Sequence, residues 1–212
     1  MSEVRPSPAY LRIKRALDVA AALAGLVLLS PLLVLAAVGT KLTSPGPIFF
    51  SQERGGRFGR RFVVHKFRTM DAGHVHNPNE VVPLTHPGIT PFGRFLRRTK
   101  IDELPQLWNV LKGDMSIIGP RPTIPEQIER YNEFERQRLL LRPGITGLAQ
   151  VNGNTLLPWP ERIRYDVYYV RHCSLGLDLR ILIRTVAVLL LGDRRFARTI
   201  EQSPYAPGED GT

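Results

Sequence analysis

Between Val19 and Thr40 the chain carries no charged residue, and this run of 22 residues is divided near its middle by Ser30-Pro31. At about 1.5 Å per residue the run could cross a hydrocarbon core of about 30 Å as one straight helix. Pro31 opposes a straight helix, because it has no N–H for the carbonyl of Val27 and its ring pushes the preceding turn aside. Ser30 can return its hydroxyl to the freed carbonyl. Arg12, Lys14 and Arg15 precede the run, and Lys41, Arg54, Arg57, Arg60 and Arg61 follow it, whereas a spanning helix keeps its excess of Lys and Arg on the cytoplasmic side. Cations on both flanks predict a re-entrant helix-break-helix hairpin with both ends cytoplasmic. Two alternatives stay open, a Pro-kinked transmembrane helix and a cleaved signal peptide. Against the second stand the length of the apolar run and the single cysteine, Cys173, which allows no internal disulfide.

The chain has 29 Lys+Arg against 19 Asp+Glu, a formal net charge of +10. Such a surface seeks phosphates, on nucleic acid, anionic lipid or a phosphorylated small substrate. The apolar hairpin favours membrane lipid and disfavours a nucleic-acid-binding module, which would have to be soluble without detergent.

Four regions follow from composition: a basic N-terminal arm (1–15), the membrane hairpin (16–42), a folded domain (43–193) opening at the turn Ser44-Pro45-Gly46-Pro47, and a Pro-, Gly- and acid-rich mobile tail (194–212). Ile48 to Ser51 and Phe62 to Phe67 read as strands of a hairpin around the cationic loop ERGGRFGRR. Residues 71–91 have loop composition. His74 and His76 there have no third metal ligand at a recognisable spacing and, with His86, read as solvated loop histidines. Pro125 to Leu141 reads as a helix, and Thr185 to Leu191 as either an interfacial helix or buried core.

Chemistry concentrates from Gly93 onward. Leu104, Leu107, Trp108 and Leu111 recur with helical spacing and predict an amphipathic helix. Pro105 fits only its first turn, so the helix starts near Asp102. Asp102 and Glu103 then sit at a helix N-terminus, where free N–H groups and the dipole favour negative charge and lower a carboxylate pKa. Successive helical residues point about 100° apart, so one carboxylate can attack while the other holds Mg²⁺. Simple helix capping explains the pair as well. Arg94, Arg97, Arg98 and Lys100 before the pair and Arg121 after it would repel one another without an anionic ligand.

These segments resemble the bacterial sugar transferases, specifically the small monotopic phosphoglycosyl transferases. The resemblance rests on KRALDV, SPGPIFFSQERGG, HKFRTM, TPFGRFLRRTKIDELPQLWNVLKGDMSIIGPRP, LRPGITGLAQVNG and YDVYYVRHCSLGLDLRIL, in that order from residue 14 to about 192. It implies an α/β, helix-rich monotopic protein of the bacterial inner membrane, with its active site facing the cytoplasm and a catalytic domain over 43–193. The implied reaction moves a sugar 1-phosphate from a nucleotide sugar, usually a UDP-sugar, to a polyprenyl phosphate such as undecaprenyl phosphate, releasing UMP. Asp102 would be the nucleophile that carries the phosphosugar covalently, and Glu103 would bind Mg²⁺. By position in the matched motifs Arg121 and Lys66 are candidate phosphate clamps, supported by Arg68, Arg97, Arg98 and Arg142, since Arg presents a bidentate fork to phosphate oxygens.

Gln150, with Asn152, offers amides for nucleotide or sugar hydroxyls after the Pro-Gly and Thr-Gly turns, although a tight structural turn accounts for them nearly as well. Asp166 resembles a position near the active site in the family and could equally pair with Arg162. The chain departs from the family pattern at Lys100, where serine is more usual, at Asn154, where arginine is more usual, and in HPGIT, where an acidic-Pro-Arg-Ile-Thr sequence is more usual. These departures bear on substrate identity more than on the core reaction. A non-catalytic membrane scaffold for polysaccharide assembly is the alternative reading, and a homodimer stays open because no interface is legible in a sequence.

Overall fold

The computed structural model describes residues 6–71, 73 and 82–206, so His74 and His76 lie outside the described residues. Helix α1 (Pro8–Leu28) and helix α2 (Ser30–Thr43) meet at Leu29, which leaves the helical conformation (φ −93°, ψ 6°), and the pair is bent by 62°. Ser30 Oγ donates to the Val27 carbonyl at 2.8 Å, the substitution expected where Pro31 supplies no N–H. Among the described residues no single helix is long and apolar enough to cross a membrane, whereas the bent pair passes that test together. Leu17, Leu23, Val27, Leu28, Val34, Leu35 and Leu42 are exposed along it.

The expected boundary between arm and hairpin falls inside α1. Pro8 at the first helical position presets φ, and residues 8–15 are helical rather than a loose arm. They also hold α1 to the rest of the molecule. Lys14 Nζ and the Tyr10 hydroxyl each donate to Asp178 Oδ2 at 3.0 Å, Tyr169 donates to Asp178 Oδ1 at 2.6 Å, and Arg15 donates to the carbonyls of Val110 and Leu111 at 2.6 and 2.9 Å. One turn on, Asp18 Oδ1 accepts from Ser116 Oγ and Ile117 N. Lys14 is therefore neutralised inside the protein, and Arg12 is the exposed cation of that flank.

Strands β1 (Phe49–Gly55) and β2 (Arg61–Phe67) pair antiparallel from Phe49 opposite Phe67 to Gly55 opposite Arg61. The ladder is longer than the sequence suggests and the cationic loop shorter, because Gln52 to Gly55 continue the strand and Gly56 to Arg60 make the turn, with Phe58 and Gly59 at positive φ. Helices α3 (Pro91–Thr99) and α4 (Gln106–Lys112) follow, then β3 (Ser116–Ile118), short helices α5 (Pro125–Glu129) and α6 (Glu133–Arg136), and β4 (Gly144–Thr146) parallel to β3. The single helix expected over 125–141 is broken because Asn132 starts a new one: its side chain accepts from Glu135 N at 2.9 Å while Glu135 accepts from Asn132 N at 3.0 Å. Gly144 to Thr146, expected as turn residues, form β4 instead.

Helix α7 (Trp159–His172) supplies Tyr165, Tyr169 and Val170 to the main core with Ile118, Leu148, Val151 and Ile181. A second cluster joins Ala22 of α1 to Val64, Leu107, Val110 and Met115, and a third joins Ala36 of α2 to Phe67 and Leu96. Helix α8 (Leu175–Leu191) buries Leu177, Asp178 and Ile181 and leaves Leu179, Ile183, Val186 and Leu190 exposed. The expected mobile tail is corrected as far as residue 206. Ile200 and Tyr205 are buried in the main core, Tyr165 donates to the carbonyls of Arg198 and Thr199, and Ile200 N donates to Glu161. The composition of 194–212 concealed these two apolar anchors. The described residues form a helix-rich α/β protein with two small sheets.

Candidate active site

The acidic pair sits in a turn built by its neighbours. Thr90 caps α3, its Oγ1 accepting from Gly93 N at 2.9 Å. The helix stops at Lys100, which adopts the left-handed conformation (φ 59°). Few side chains other than Asn and Asp take this conformation readily, and such positions gather at functional sites. The chain then makes a 3₁₀ turn, Ile101–Glu103, before α4 begins at Gln106. The sequence placed the pair one turn too far into the helix. With Pro105 as the cap, α4 buries Gln106, Leu107, Asn109 and Val110 and leaves Trp108 55% exposed.

Glu103 is held by two cations that reach its Oε1 from different elements, Lys66 Nζ of β2 at 2.7 Å and Arg121 Nη2 at 2.9 Å. Arg121 stands in Gly119-Pro120-Arg121-Pro122, which leaves β3 where two backbones touch. A Cβ on Gly144 would lie 2.1 Å from Gly119 N, and one on Gly119 would lie 2.3 Å from the Arg142 carbonyl, so both positions require glycine. Burial would raise the Glu103 carboxyl, but Arg121 and Lys66 outweigh it and hold the group well below the usual carboxylate range. Burial pulls the Lys66 ammonium down, opposed by Glu103.

Asp102 is treated oppositely. It is 7% exposed, and its Oδ1 is buried with no hydrogen-bond partner. Burial, then the neighbouring Glu103 carboxylate, pushes its carboxyl up to about 6 against the pull of Lys66, Lys100 and Arg97. The dipole argument foresaw a lowered pKa, and it fails because Asp102 lies in a short 3₁₀ turn where desolvation dominates. Two adjacent carboxyls with pKa values driven apart are an arrangement suited to separate roles.

The remaining candidates divide. Arg97 donates to Thr69 Oγ1 at 2.8 Å and lies within electrostatic reach of Asp102 and Glu103. Arg98 is exposed. Arg68 donates to the carbonyls of Ser44 and Pro45 and so fastens the turn after α2. Arg142 donates to the Gly113 carbonyl at 2.8 Å and, with Arg15, answers the C-terminal carbonyls of α4. Gln150 Nε2 donates to the Ile145 carbonyl at 2.7 Å, while its Oε1 is buried without a partner.

Asp166 pairs with Arg138 rather than Arg162, in a contact with both side chains almost fully buried. Arg138 also donates to the Tyr131 hydroxyl at 2.6 Å and the Arg121 carbonyl at 2.9 Å, so Asp166 reaches the acidic pair through the backbone that carries Arg121. Sequence reasoning missed Arg138 and Arg54. Burial and then Arg121 lower the Arg54 guanidinium to about 10. Period-2 alternation was the available signal for Arg54: Phe50, Gln52 and Arg54 share the face of β1 opposite Lys66, Val64 and Phe62 of β2.

The pattern of the bacterial sugar transferase family matches residues 9–192. The chain belongs to this family. It is 40% identical over 198 residues to the UDP-N-acetylgalactosamine-undecaprenyl-phosphate N-acetylgalactosaminephosphotransferase of Aeromonas hydrophila, covering 91% of this chain and 47% of that protein. It is 44% identical over 195 residues to the UDP-glucose:undecaprenyl-phosphate glucose-1-phosphate transferase of Xanthomonas campestris pv. campestris, covering 87% of this chain and 40% of that protein. With the uncharacterized sugar transferase EpsL of Bacillus subtilis (strain 168) it shares 40% identity over 185 residues, 85% of this chain and 89% of that protein. The sugar transferase chain thus spans less than half the length of the first two relatives and most of the third.

Among the described residues of this sugar transferase, no three or more His, Cys, Asp or Glu side chains gather as a metal site. Mg²⁺ takes one or two protein carboxylates and completes its shell with water and substrate phosphates. Glu103, whose two ion pairs both fall on Oε1 and leave Oε2 outside them, fits that smaller donor set.

Proposed function

We propose that this sugar transferase moves a sugar 1-phosphate from a UDP-sugar to undecaprenyl phosphate through a covalent phosphosugar on Asp102, releasing UMP. The observation that carries the reading is the buried, unpartnered Oδ1 of Asp102 beside a cation-rich Glu103. A carboxyl near 6 is about nine-tenths ionised at neutral pH and, being desolvated, is a stronger nucleophile than one in water.

In the first step an Asp102 oxygen forms a bond to the β-phosphorus, and the bond from that phosphorus to the UMP oxygen breaks, with the electron pair leaving on UMP. In the second a phosphate oxygen of undecaprenyl phosphate attacks the same phosphorus and the Asp102 carboxylate departs. Lys66 and Arg121 hold positive charge where the diphosphate must sit, with Arg54 and Arg97 in reach. Glu103 is the residue to hold Mg²⁺, whose chemistry is neutralisation of the diphosphate. The Arg138–Asp166 pair keeps the Arg121 backbone in place.

The bent α1–α2 pair is read as a re-entrant hairpin in the bacterial inner membrane, with both ends cytoplasmic. The exposed apolar face of α8 rests on the same leaflet. The domain over 43–193 then faces the cytoplasm, where UDP-sugars are. Cysteines placed near Pro8 and Thr43 should both be labelled from the cytoplasmic side, and labelling from opposite sides would show a span.

The test is UMP release by the solubilised protein across a panel of UDP-sugars with undecaprenyl phosphate and Mg²⁺. Release that requires the lipid phosphate, the metal and Asp102 supports the reading and identifies the donor. Release undiminished in Asp102→Asn would overturn the nucleophile assignment.

A further inference from the structure

On the side of α1 facing the 141–143 segment lies an open groove of about 700 Å³, lined by Leu11, Arg12, Arg15, Ala16, Val19, Ala20 and Arg142. Its lining is ordered along the helix. The arginines stand at the N-terminal end, and Ala16, Val19 and Ala20 run from there toward the bend at Leu29. No carboxylate lines it. Asp18, the acidic residue of the same two turns, is buried and engaged by Ser116 and Ile117.

The three guanidiniums are incompletely answered by protein. Arg12 is exposed, Arg142 commits only Nε to the Gly113 carbonyl, and Arg15 places Nη1 and Nη2 on Val110 and Leu111. Burial, followed by Arg15 and Arg57, lowers the Arg142 guanidinium against the pull of Asp18. Cations at one end and an apolar trough at the other match an amphiphile with an anionic head.

We propose that this groove is a binding site for one anionic phospholipid, with its headgroup phosphate on Arg12, Arg15 and Arg142 and an acyl chain along Ala16, Val19 and Ala20. The inference rests on the membrane reading of the hairpin given above. It commits to a resident lipid rather than to the acceptor for a geometric reason. Two of the groove's arginines, Arg15 and Arg142, hold carbonyls at the C-terminal end of α4, whereas Asp102 and Glu103 precede its N-terminal end. Seven helical residues separate the two ends by about 10 Å, so a phosphate seated in the groove is out of reach of the Asp102 carboxylate. The site would fix the depth at which α1 enters the leaflet.

The test uses the full chain in nanodiscs of phosphatidylcholine containing one-fifth phosphatidylglycerol, with retained lipid counted by native mass spectrometry. Wild-type protein should keep one phosphatidylglycerol. Arg12→Gln should keep about fivefold less, the weight of one arginine against an anionic headgroup, and Ala20→Trp, which fills the trough from an exposed position, should keep none. Unchanged thermal unfolding of both variants would show that they fold.

Equal retention by all three proteins, or equal retention of the zwitterionic lipid, overturns the proposal. So does a rise in KM for undecaprenyl phosphate in both variants with phosphatidylglycerol retention intact, which would give the groove to the acceptor. A wild-type chain that does not enter nanodiscs would overturn the membrane reading itself, an outcome distinct from entry without headgroup preference.

Discussion

The cluster of Tyr10, Lys14, Tyr169 and Asp178 and the cluster of Lys66, Asp102, Glu103 and Arg121 are built from similar residues, yet their charges are answered differently. At the first, both oxygens of Asp178 have donors, Oδ1 from Tyr169 and Oδ2 from Tyr10 and Lys14. One carboxylate meets one ammonium and two hydroxyls, and nothing is left to bind. At the second, Glu103 is doubly neutralised while Asp102 Oδ1 has no partner, and Arg54 and Arg97 add further positive charge. A closed cluster fastens α1 to α8, whereas the open one leaves a carboxylate oxygen without a partner beside four cations, the arrangement on which the proposed function rests.

The largest expected effect comes from the open cluster. Asp102→Asn should lower UMP release by a factor on the order of 10⁴ or more without lowering thermal stability at pH 7. The sign follows from its raised carboxyl: the folded protein binds that proton more tightly than the unfolded chain, so the group's favourable contribution is present below the unfolded pKa and is lost as pH rises through about 6. A large fall in melting temperature would remove the distinction between the two clusters. In the closed cluster the converse should hold. Asp178→Ala strands a buried lysine and should cost about 3–5 kcal/mol in denaturant unfolding, while the folded fraction keeps its turnover.

A smaller effect sharpens the same contrast through pH. If Asp102 must be ionised to attack, turnover should rise with pH through about 6 and then level. Glu103, held well below the ordinary range, should add no limb of its own near neutrality. A flat profile from pH 5 to 8 in wild-type protein would contradict the buried-nucleophile account. Smallest of all, Arg98→Ala should change stability by less than about 0.5 kcal/mol and turnover by less than about twofold, since the side chain is exposed. A loss as large as that of Arg121→Ala would return Arg98 to the site.

The sequence showed the features whose causes are local. Ser30-Pro31 announced both the break in the hairpin and the hydroxyl that compensates it, and Pro105 with the apolar spacing placed α4 to within one turn. Contacts between distant segments were hidden. Lys14 and Arg15 read as flanking charges and proved to be packing residues because their partners, Asp178 and the α4 carbonyls, lie about a hundred or more positions away. Helical spacing could offer Asp166 only Arg162, one turn away, whereas the arginine that pairs with it, Arg138, reaches it from outside α7. Asp102 and Glu103 were legible as a pair, but the opposite displacement of their carboxyls depends on burial and on Lys66 and Arg121, which no spacing rule brings together.

The most direct measurement is the intact mass of the purified protein after brief exposure to its UDP-sugar donor and Mg²⁺ in the absence of undecaprenyl phosphate. The account predicts a single added sugar phosphate on wild-type protein, absent from Asp102→Asn and discharged when undecaprenyl phosphate is supplied. An adduct that persists in Asp102→Asn, or continued product formation in that variant with no adduct, would contradict it.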